Sequence, residues 1–434
     1  MVIETIQELE QVFSADRLAA VVIPGSNKFH PYLTSAVGLF IASGENRYII
    51  PIDHPDGINM SIFTVQTFLS TVPEVFVPNK KDFLYFFGGG KNIKDLKFAG
   101  FTLSDNKVSI NGWMENKYHN HPEVNKMIPL VKHLEKLTLD FKGVENVVEK
   151  FKPDQAFGFY NDIASPVFHL AERHGLRTIY QPYVDLFKPA DPVFNTSNNI
   201  TYTYYNLYNA TSRPTNAFNS VNFAAIPKKE EYRKCFIPQN DIFVEFDFDG
   251  YHLRLIADQI GYPLTSESAH TQLAREYFGT ENISAEDYAR AKQINFQALY
   301  GNIPSELKDF KLFNQLEKYT EDLWGQFVAN GSVNAPISGK VFSVKDHPDM
   351  NPKKLLNYII QSLETSRNIL ILKDVFRYLQ NKETKVALYT YDSVLFDFSK
   401  KDGRQTLEDL ERILSEDGKY PVKFKYSNNM FFQN

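Results

Sequence analysis

Two aspartates stand where this sequence can offer a carboxylate to a ligand. Asp247 closes the apolar run Ile242-Phe243-Val244-Glu245-Phe246, and Asp392 separates Val386-Ala387-Leu388-Tyr389-Thr390 from Ser393-Val394-Leu395-Phe396. Runs of this composition read as β-strands, and an acid at a strand end is open to ligands. On adjacent strands, two such carboxylates can bridge a pair of Mg²⁺ ions about 3.5 to 4 Å apart. One ion would activate a hydroxyl and the other stabilise the leaving oxygen of a phosphate ester. Taken singly, each aspartate reads more readily as a plain strand terminator than as a catalyst.

The segment between them bears on that choice. Ser284 and Asp287 have the spacing of a capping box, and residues 285–300 (AEDYARAKQINFQALY) contain no Gly or Pro before Gly301. This predicts a helix of about four turns. Lys292, Phe296 and Tyr300 recur every four positions, so one face carries a cation and two aromatic rings. That face suits a nucleoside triphosphate, with the phosphates on the lysine and the base against the rings, although an aromatic stripe at this spacing is also a common core pattern. Asn357 and Gln361 lie four apart in a second long helical pattern and share a face with Lys353. Amides so placed can reach groove atoms of a nucleic acid, and the lysine a phosphate.

The elements that must position these residues follow from the rest of the chain. A length of 434 residues predicts two or three domains. The 43% hydrophobic content, with 36 Phe and 24 Tyr, supplies a substantial core and argues against disorder. A net charge of −5 excludes a uniformly basic DNA-coating body, so any nucleic-acid contact must be local, as at Lys228 to Lys234 or Lys353 and Lys354. Cys235 is the only cysteine, which excludes an internal disulfide and a cysteine-rich zinc site. Neither a signal-peptide pattern nor an uninterrupted apolar run of about 18 residues occurs, so the expectation is a protein without membrane contact in the cytoplasm.

Between Leu18 and Ile52 the chain reads as three strands, and from Glu123 to about Lys152 as helix interrupted near Pro129. The Pro-, Asn-, Thr- and Tyr-rich stretch from Tyr180 to Tyr208 reads as an irregular connection, placing a domain boundary near residue 180. After Asp247, Tyr251 to Ile260 has helical spacing closed by Gly261 and Pro263.

In this order and spacing the segments resemble the polymerase domain of family A DNA polymerases, the group of bacterial DNA polymerase I and many phage replicases. The resemblance covers roughly residue 209 to the C-terminus. DFDGYHLRLIA resembles the first palm motif, implying Asp247 as catalytic metal ligand with Phe248 beside it in the metal site. YTYDSVLFDF resembles the second, implying Asp392 as the other ligand and Tyr391 as a DNA contact. KQINFQALYG resembles the nucleotide-binding finger helix, with Lys292, Phe296 and Tyr300 on the family's positions, and SAHTQLAREYFG the segment that brings His270 to the triphosphate. TSRPTNAFNSVNFAAIP resembles the stretches that track primer-template, implying Arg213 and Asn222. LNYIIQS resembles the minor-groove helix, implying Asn357 and Gln361, with Lys353 before them.

There are departures. His252 stands where the family usually has a Glu that excludes the ribose 2′-hydroxyl. Tyr288 fills the slot of a triphosphate-binding Arg, with Arg290, off that row, kept as a nucleotide-binding candidate. Tyr391 and Ser393 replace the usual His and Glu.

The resemblance implies an α+β right-hand polymerase, residues 181–434, with palm at 200–262 and 335–434, fingers at 263–334 and a reduced or absent thumb. Residues 1–180 faintly resemble the family's ribonuclease H-like 3′–5′ exonuclease α/β domain in degenerate form, because Pro24 and Gly25 occupy the place of its Asp-X-Glu metal pair. The implied activity is DNA-directed DNA synthesis from dNTPs on primer-template DNA with two Mg²⁺ ions, or Mn²⁺, and without proofreading. A processivity or replisome partner would compensate for the short thumb. A sugar-tolerant or RNA-synthesising polymerase and a non-catalytic polymerase-like DNA-binding subunit are the alternatives. The compact form suggests phage or mobile-element origin, hence a host cytoplasm.

Overall fold

The structure, a computed structural model, describes residues 1–26, 30–102, 124–142, 144–187, 196–216, 221–301, 303 and 305–432. Parts of the expected motif segments, at 27–29 and 217–220, and of the expected irregular connection, at 188–195, lie outside the described residues. The chain divides into two units. The first is Met1–Gly175, Tyr180–Tyr208 and Asn216–Val221; the second is Leu176–Ile179, Asn209–Thr215 and Asn222–Asn434.

Apolar runs near the N-terminus build the first unit's five-stranded sheet. Arg17–Pro24 lies at its centre, antiparallel to Ala36–Ser43 and parallel to Glu74–Val77. Asn46–Pro51 continues the antiparallel side and Ile93–Asp95 the parallel side. Ala36–Ser43 is buried along all but its last residue, so both faces of that strand are covered. Tyr180–Phe187, expected to be irregular, is helical. Pro182 falls in its first turn, where a missing N–H costs no hydrogen bond, and the Gln181 side chain donates to Asp185 one turn on (2.9 Å).

A buried polar cluster occupies this unit. Lys81 Nζ donates to both Glu172 oxygens (2.7 and 2.9 Å), which also accept from the Tyr85 hydroxyl (2.9 Å) and the Tyr205 N–H (2.6 Å). His30 Nδ1 accepts from the Tyr32 N–H (3.1 Å) while Nε2 faces the Thr203 carbonyl (3.1 Å), a pairing that fits the neutral ring. Burial, then the Lys81 charge, pulls His30 down to about 3; burial, then Arg173 and Lys81, pulls His169 down to about 4. Both values lie below that of an unfolded histidine, so the folded unit binds fewer protons than the unfolded chain at mildly acidic pH. Their contribution is full above about pH 6.5 and is lost as pH falls through 4 and 3. The slope of unfolding free energy against pH is therefore expected to be shallower below pH 6.5 in His30→Gln than in wild type. Equal slopes in denaturant titrations would contradict this.

The second unit is built on a four-stranded antiparallel sheet in the order Lys385–Thr390, Ser393–Phe398, Ile242–Phe248, Val422–Ser427. The expected capping box forms: the Ser284 hydroxyl accepts from the Asp287 N–H and the Asp287 carboxylate from the Ser284 N–H, starting the helix Ala285–Tyr300. That helix packs with Ala269–Phe278, Lys311–Asn330 and Pro352–Tyr378 around a core that includes Leu273, Leu299, Phe313, Leu316 and Ile360. Among the described residues, no helix is long and apolar enough to cross a membrane.

Candidate active site

The two aspartates are brought together by strand register. Asp247 lies opposite Ser393, the residue after Asp392, and opposite Lys423 on its other side. The Phe248 N–H donates to the Asp392 carbonyl (3.0 Å), tying the 390–393 hairpin turn to the Asp247 strand. Tyr391 takes a positive φ of 55° in that turn, which costs a side-chain-bearing residue about 1 kcal/mol. Asn368, buried in the long helix, donates to the Tyr391 carbonyl (2.7 Å) and the Tyr389 hydroxyl (3.0 Å) and accepts from the Tyr251 hydroxyl (2.7 Å), holding the turn in place. Both carboxyls reach solvent, yet burial disfavours ionisation of both, and a neighbouring carboxylate adds to it at each. Asp247 is pushed up to about 6, first by burial, then by Asp392 and Glu245; Asp392 is raised by burial, then by Glu364.

The strand turns into helix Tyr251–Gln259 at Gly250, whose φ of 58° favours glycine. A side chain there would also sit 3.3 Å from the Ala269 Cβ. Asp249 is buried beneath this turn. It accepts from Lys423 Nζ (2.5 Å) and from the Ala269 N–H (3.2 Å), while Arg254 braces the loop through the carbonyls of Asp249, Thr265 and Glu267. Burial works against the Asp249 charge, but the Lys423 contact and these donors hold its carboxyl below the usual range.

These elements enclose a cleft of about 450 Å³, a size suited to a nucleotide. Asp247, Phe248, His252, His270, Lys292, Phe296, Tyr300, Gln361, Asp392 and Arg213 all line it. Lys292 and Phe296 are exposed into it, and the Phe296 and Tyr300 rings lie 5.8 Å apart and tilted by 32°. Buried His270 accepts at Nδ1 from the Asn295 amide (2.9 Å), itself held by the Tyr277 hydroxyl (2.5 Å). This leaves Nε2 as the proton-bearing nitrogen, and burial pulls the ring below the ordinary histidine value.

Other sequence candidates fall elsewhere. Arg290 stays out of the cleft and lies over the Phe278 ring at 5.4 Å. Two residues from Lys292 is roughly 200° around a helix, so the two cannot share a face. Lys353 and Asn357 do not line the cleft, but with Gln361 they form a row along the helix Pro352–Tyr378 that ends at it. Asn222 is exposed, precedes the short turn Phe223–Ala225 and does not line the cleft. Tyr391 does not line the cleft, yet its ring lies 3.9 Å under the Arg213 guanidinium, which does.

Sequence reasoning missed Lys423, Glu364, Asp249 and Asn295, all cleft-lining, and Asn368 behind them. Only Lys423 carried a readable signal, the alternation Val422-Lys423-Phe424-Lys425-Tyr426 of an edge strand. Glu364, 1% exposed, receives three contacts. Its carboxylate lies 3.0 Å from Arg213 Nε and 3.2 Å from Arg213 Nη2, and 3.0 Å from His252 Nε2. The other His252 nitrogen, Nδ1, is in hydrogen-bond contact with the Tyr300 hydroxyl.

Among the described residues, no three His, Cys, Asp or Glu side chains form a complete metal cage. Two adjacent carboxylates whose charges crowd each other nevertheless fit a hard divalent cation that takes its remaining oxygens from a substrate. Phe248, with its ring stacked on Tyr251 at 4.1 Å, could contribute only its main-chain carbonyl.

The solved polymerase (POL) domain of Pol1 from M. smegmatis, in complex with DNA primer-template and dNTP, superposes with a TM-score of 0.62 at 14% identity, covering 98% of this chain and 97% of that one. The fold is that of a DNA polymerase I polymerase domain. The DNA polymerase I of Helicobacter pylori (strain J99 / ATCC 700824) is 23% identical over 237 residues, 47% of this chain, and the match spans only 26% of that protein's length. No family model matches. The resemblance to family A polymerases read from the motifs is thus borne out in fold and in sequence similarity.

Proposed function

We propose that this polymerase-fold chain is a DNA-directed DNA polymerase that adds deoxynucleotides to a primer 3′ end. The convergence of Asp247, Asp392, Lys292, Phe296 and Tyr300 on one cleft carries this reading. Two Mg²⁺ ions held by Asp247 and Asp392, or Mn²⁺ in their place, would supply activation of the primer hydroxyl and charge neutralisation at the α-phosphate and pyrophosphate. Around them, Lys292 and the His270 Nε2–H bind the triphosphate, and Lys423, lining the same cleft, adds a second ammonium group. Phe296 and Tyr300 pack the base, and Arg213 with Gln361 faces the primer-template. The work of the chain's own side chains is thus positioning and charge complementarity.

Lys292→Ala is expected to raise KM for dNTP about 10- to 100-fold with a smaller loss in kcat, because an ammonium–phosphate contact is worth on the order of 1.5–3 kcal/mol. An unchanged KM would remove Lys292 from the triphosphate site.

The reading includes three further parts. Synthesis proceeds without 3′ editing, since the strand Arg17–Pro24 ends at Pro24 with Gly25 next, where the Asp-X-Glu pair would stand, and the Asn125 amide donates to the Pro24 carbonyl (2.5 Å). The stretch from His174 to Asn209 is too short for a long-helix thumb, so a partner protein supplies processivity. The enzyme works in a cytoplasm, that of the host if the source is a phage. Extension of a labelled primer on a template tests synthesis, editing and processivity together. Templated addition supports the core reading, trimming of a mispaired 3′ end would contradict the absence of editing, and long products from the purified protein alone would remove the need for a partner.

A further inference from the structure

Glu364 is a fully buried carboxylate that the phosphoryl-transfer chemistry does not use, and it lies at the meeting point of three cleft residues. A buried carboxylate is costly unless partnered, so its partners are informative. They are Arg213 and His252, and through the opposite nitrogen of His252 the contact extends to the Tyr300 hydroxyl. The chain of contacts runs Glu364, His252, Tyr300, from the long helix across to the last turn of the helix that carries Lys292.

The place of this relay along a bound nucleotide follows from helix geometry. Lys292 and Tyr300 are eight residues apart on one helix face, about 12 Å at 1.5 Å per residue. With the triphosphate at Lys292 and Asp247 and the base against Phe296 and Tyr300, the sugar between them meets the wall formed by His252 and Tyr300. The position of that wall depends on what packs behind His252, and the Glu364 carboxylate lies there, 3.0 Å from Nε2 at ion-pair distance but outside hydrogen-bond alignment. We propose that Glu364 is a positioning residue for sugar selection: it fixes His252 against Tyr300, closing the space a ribose 2′-hydroxyl would need, and orients Arg213 beside the same pocket. An acid on the helix Pro352–Tyr378 thereby backs a histidine that could not otherwise anchor the tyrosine hydroxyl in one orientation.

The inference rests on the polymerase reading, and one experiment separates the two. Kinetic constants for matched dNTP and rNTP addition are measured for wild type, Glu364→Gln, and the double variant His252→Glu/Glu364→Gln, which moves the carboxylate directly against Tyr300. Glu364→Gln is expected to raise KM for dNTP more than it lowers kcat and to reduce the dNTP-over-rNTP preference by at least about tenfold. The double variant is expected to restore the preference to within about threefold of wild type. A merely structural role for Glu364 would lower kcat for both nucleotides alike and would not be rescued. Wild-type extension with an unchanged preference in Glu364→Gln overturns the inference alone; absence of wild-type extension overturns the polymerase reading and the inference with it. If Glu364→Gln does not fold, Glu364→Asp, which keeps the charge but shortens its reach, carries the same readouts.

Discussion

Asp247→Asn and Asp392→Asn should each slow templated nucleotide addition by at least about a thousandfold, on the order of 4 kcal/mol of barrier. An amide keeps the size and the hairpin of each residue but removes the charge that a pair of divalent cations needs. Their stability should move the other way. Burial pushes both carboxyls up, joined by the Asp392 and Glu245 charges at Asp247, which rises to about 6, and by the Glu364 charge at Asp392, so neutralising either is expected to leave the melting temperature unchanged or to raise it. Loss of activity with retained or increased stability separates a catalytic role from a structural one. Single-turnover extension within tenfold of wild type in Asp392→Asn would sink its assignment, and the same result in Asp247→Asn would sink the other.

The largest stability effect is expected in the first unit. Lys81→Met leaves Glu172 with its Tyr85 and Tyr205 donors but no counter-charge at a fully buried position, and should destabilise that unit by about 3–5 kcal/mol. The double variant Lys81→Met/Glu172→Leu removes both charges and should recover most of the loss, because burying an ion pair gains little over well-packed apolar side chains. Denaturant unfolding checks both. A single-variant cost below about 1 kcal/mol would mean that water reaches Glu172 once Lys81 is gone.

The same contrast between local and tertiary determinants explains how much the sequence disclosed. Asp247, Asp392 and the Lys292, Phe296 and Tyr300 row were legible because strand ends, a capping box and a four-residue repeat are local patterns, and the cleft collects all five. Glu364 was not legible. On a helix, an acid among Ser362, Thr365 and Arg367 reads as solvated surface, and only packing of that helix against the His252 helix buries it. Lys423 was missed because its value comes from antiparallel register with Asp247, which nothing local encodes. Arg290 was over-read by proximity to Lys292 in sequence, where helix geometry sends it to the other side. In the first unit the strands near the N-terminus were read from apolar runs. The helix Tyr180–Phe187 was not, because the Pro-, Asn-, Thr- and Tyr-rich composition of the whole stretch reads as irregular, whereas Pro182 is compatible with helix at its first-turn position.

The coupled departures fit one account of the cleft. At two of these positions the cleft holds charged side chains that the motifs did not include: Glu364 lies 3.0 Å from His252, and Lys423 lines the same cleft as Tyr288 and Lys292.

The most direct test is single-nucleotide incorporation: a labelled primer annealed to a template, purified protein, Mg²⁺, and each of the four dNTPs supplied alone. The account predicts one-nucleotide extension with the complementary dNTP only, abolished by chelation of the metal and by Asp247→Asn. Absence of extension by folded protein, or addition that ignores the template base, would contradict it.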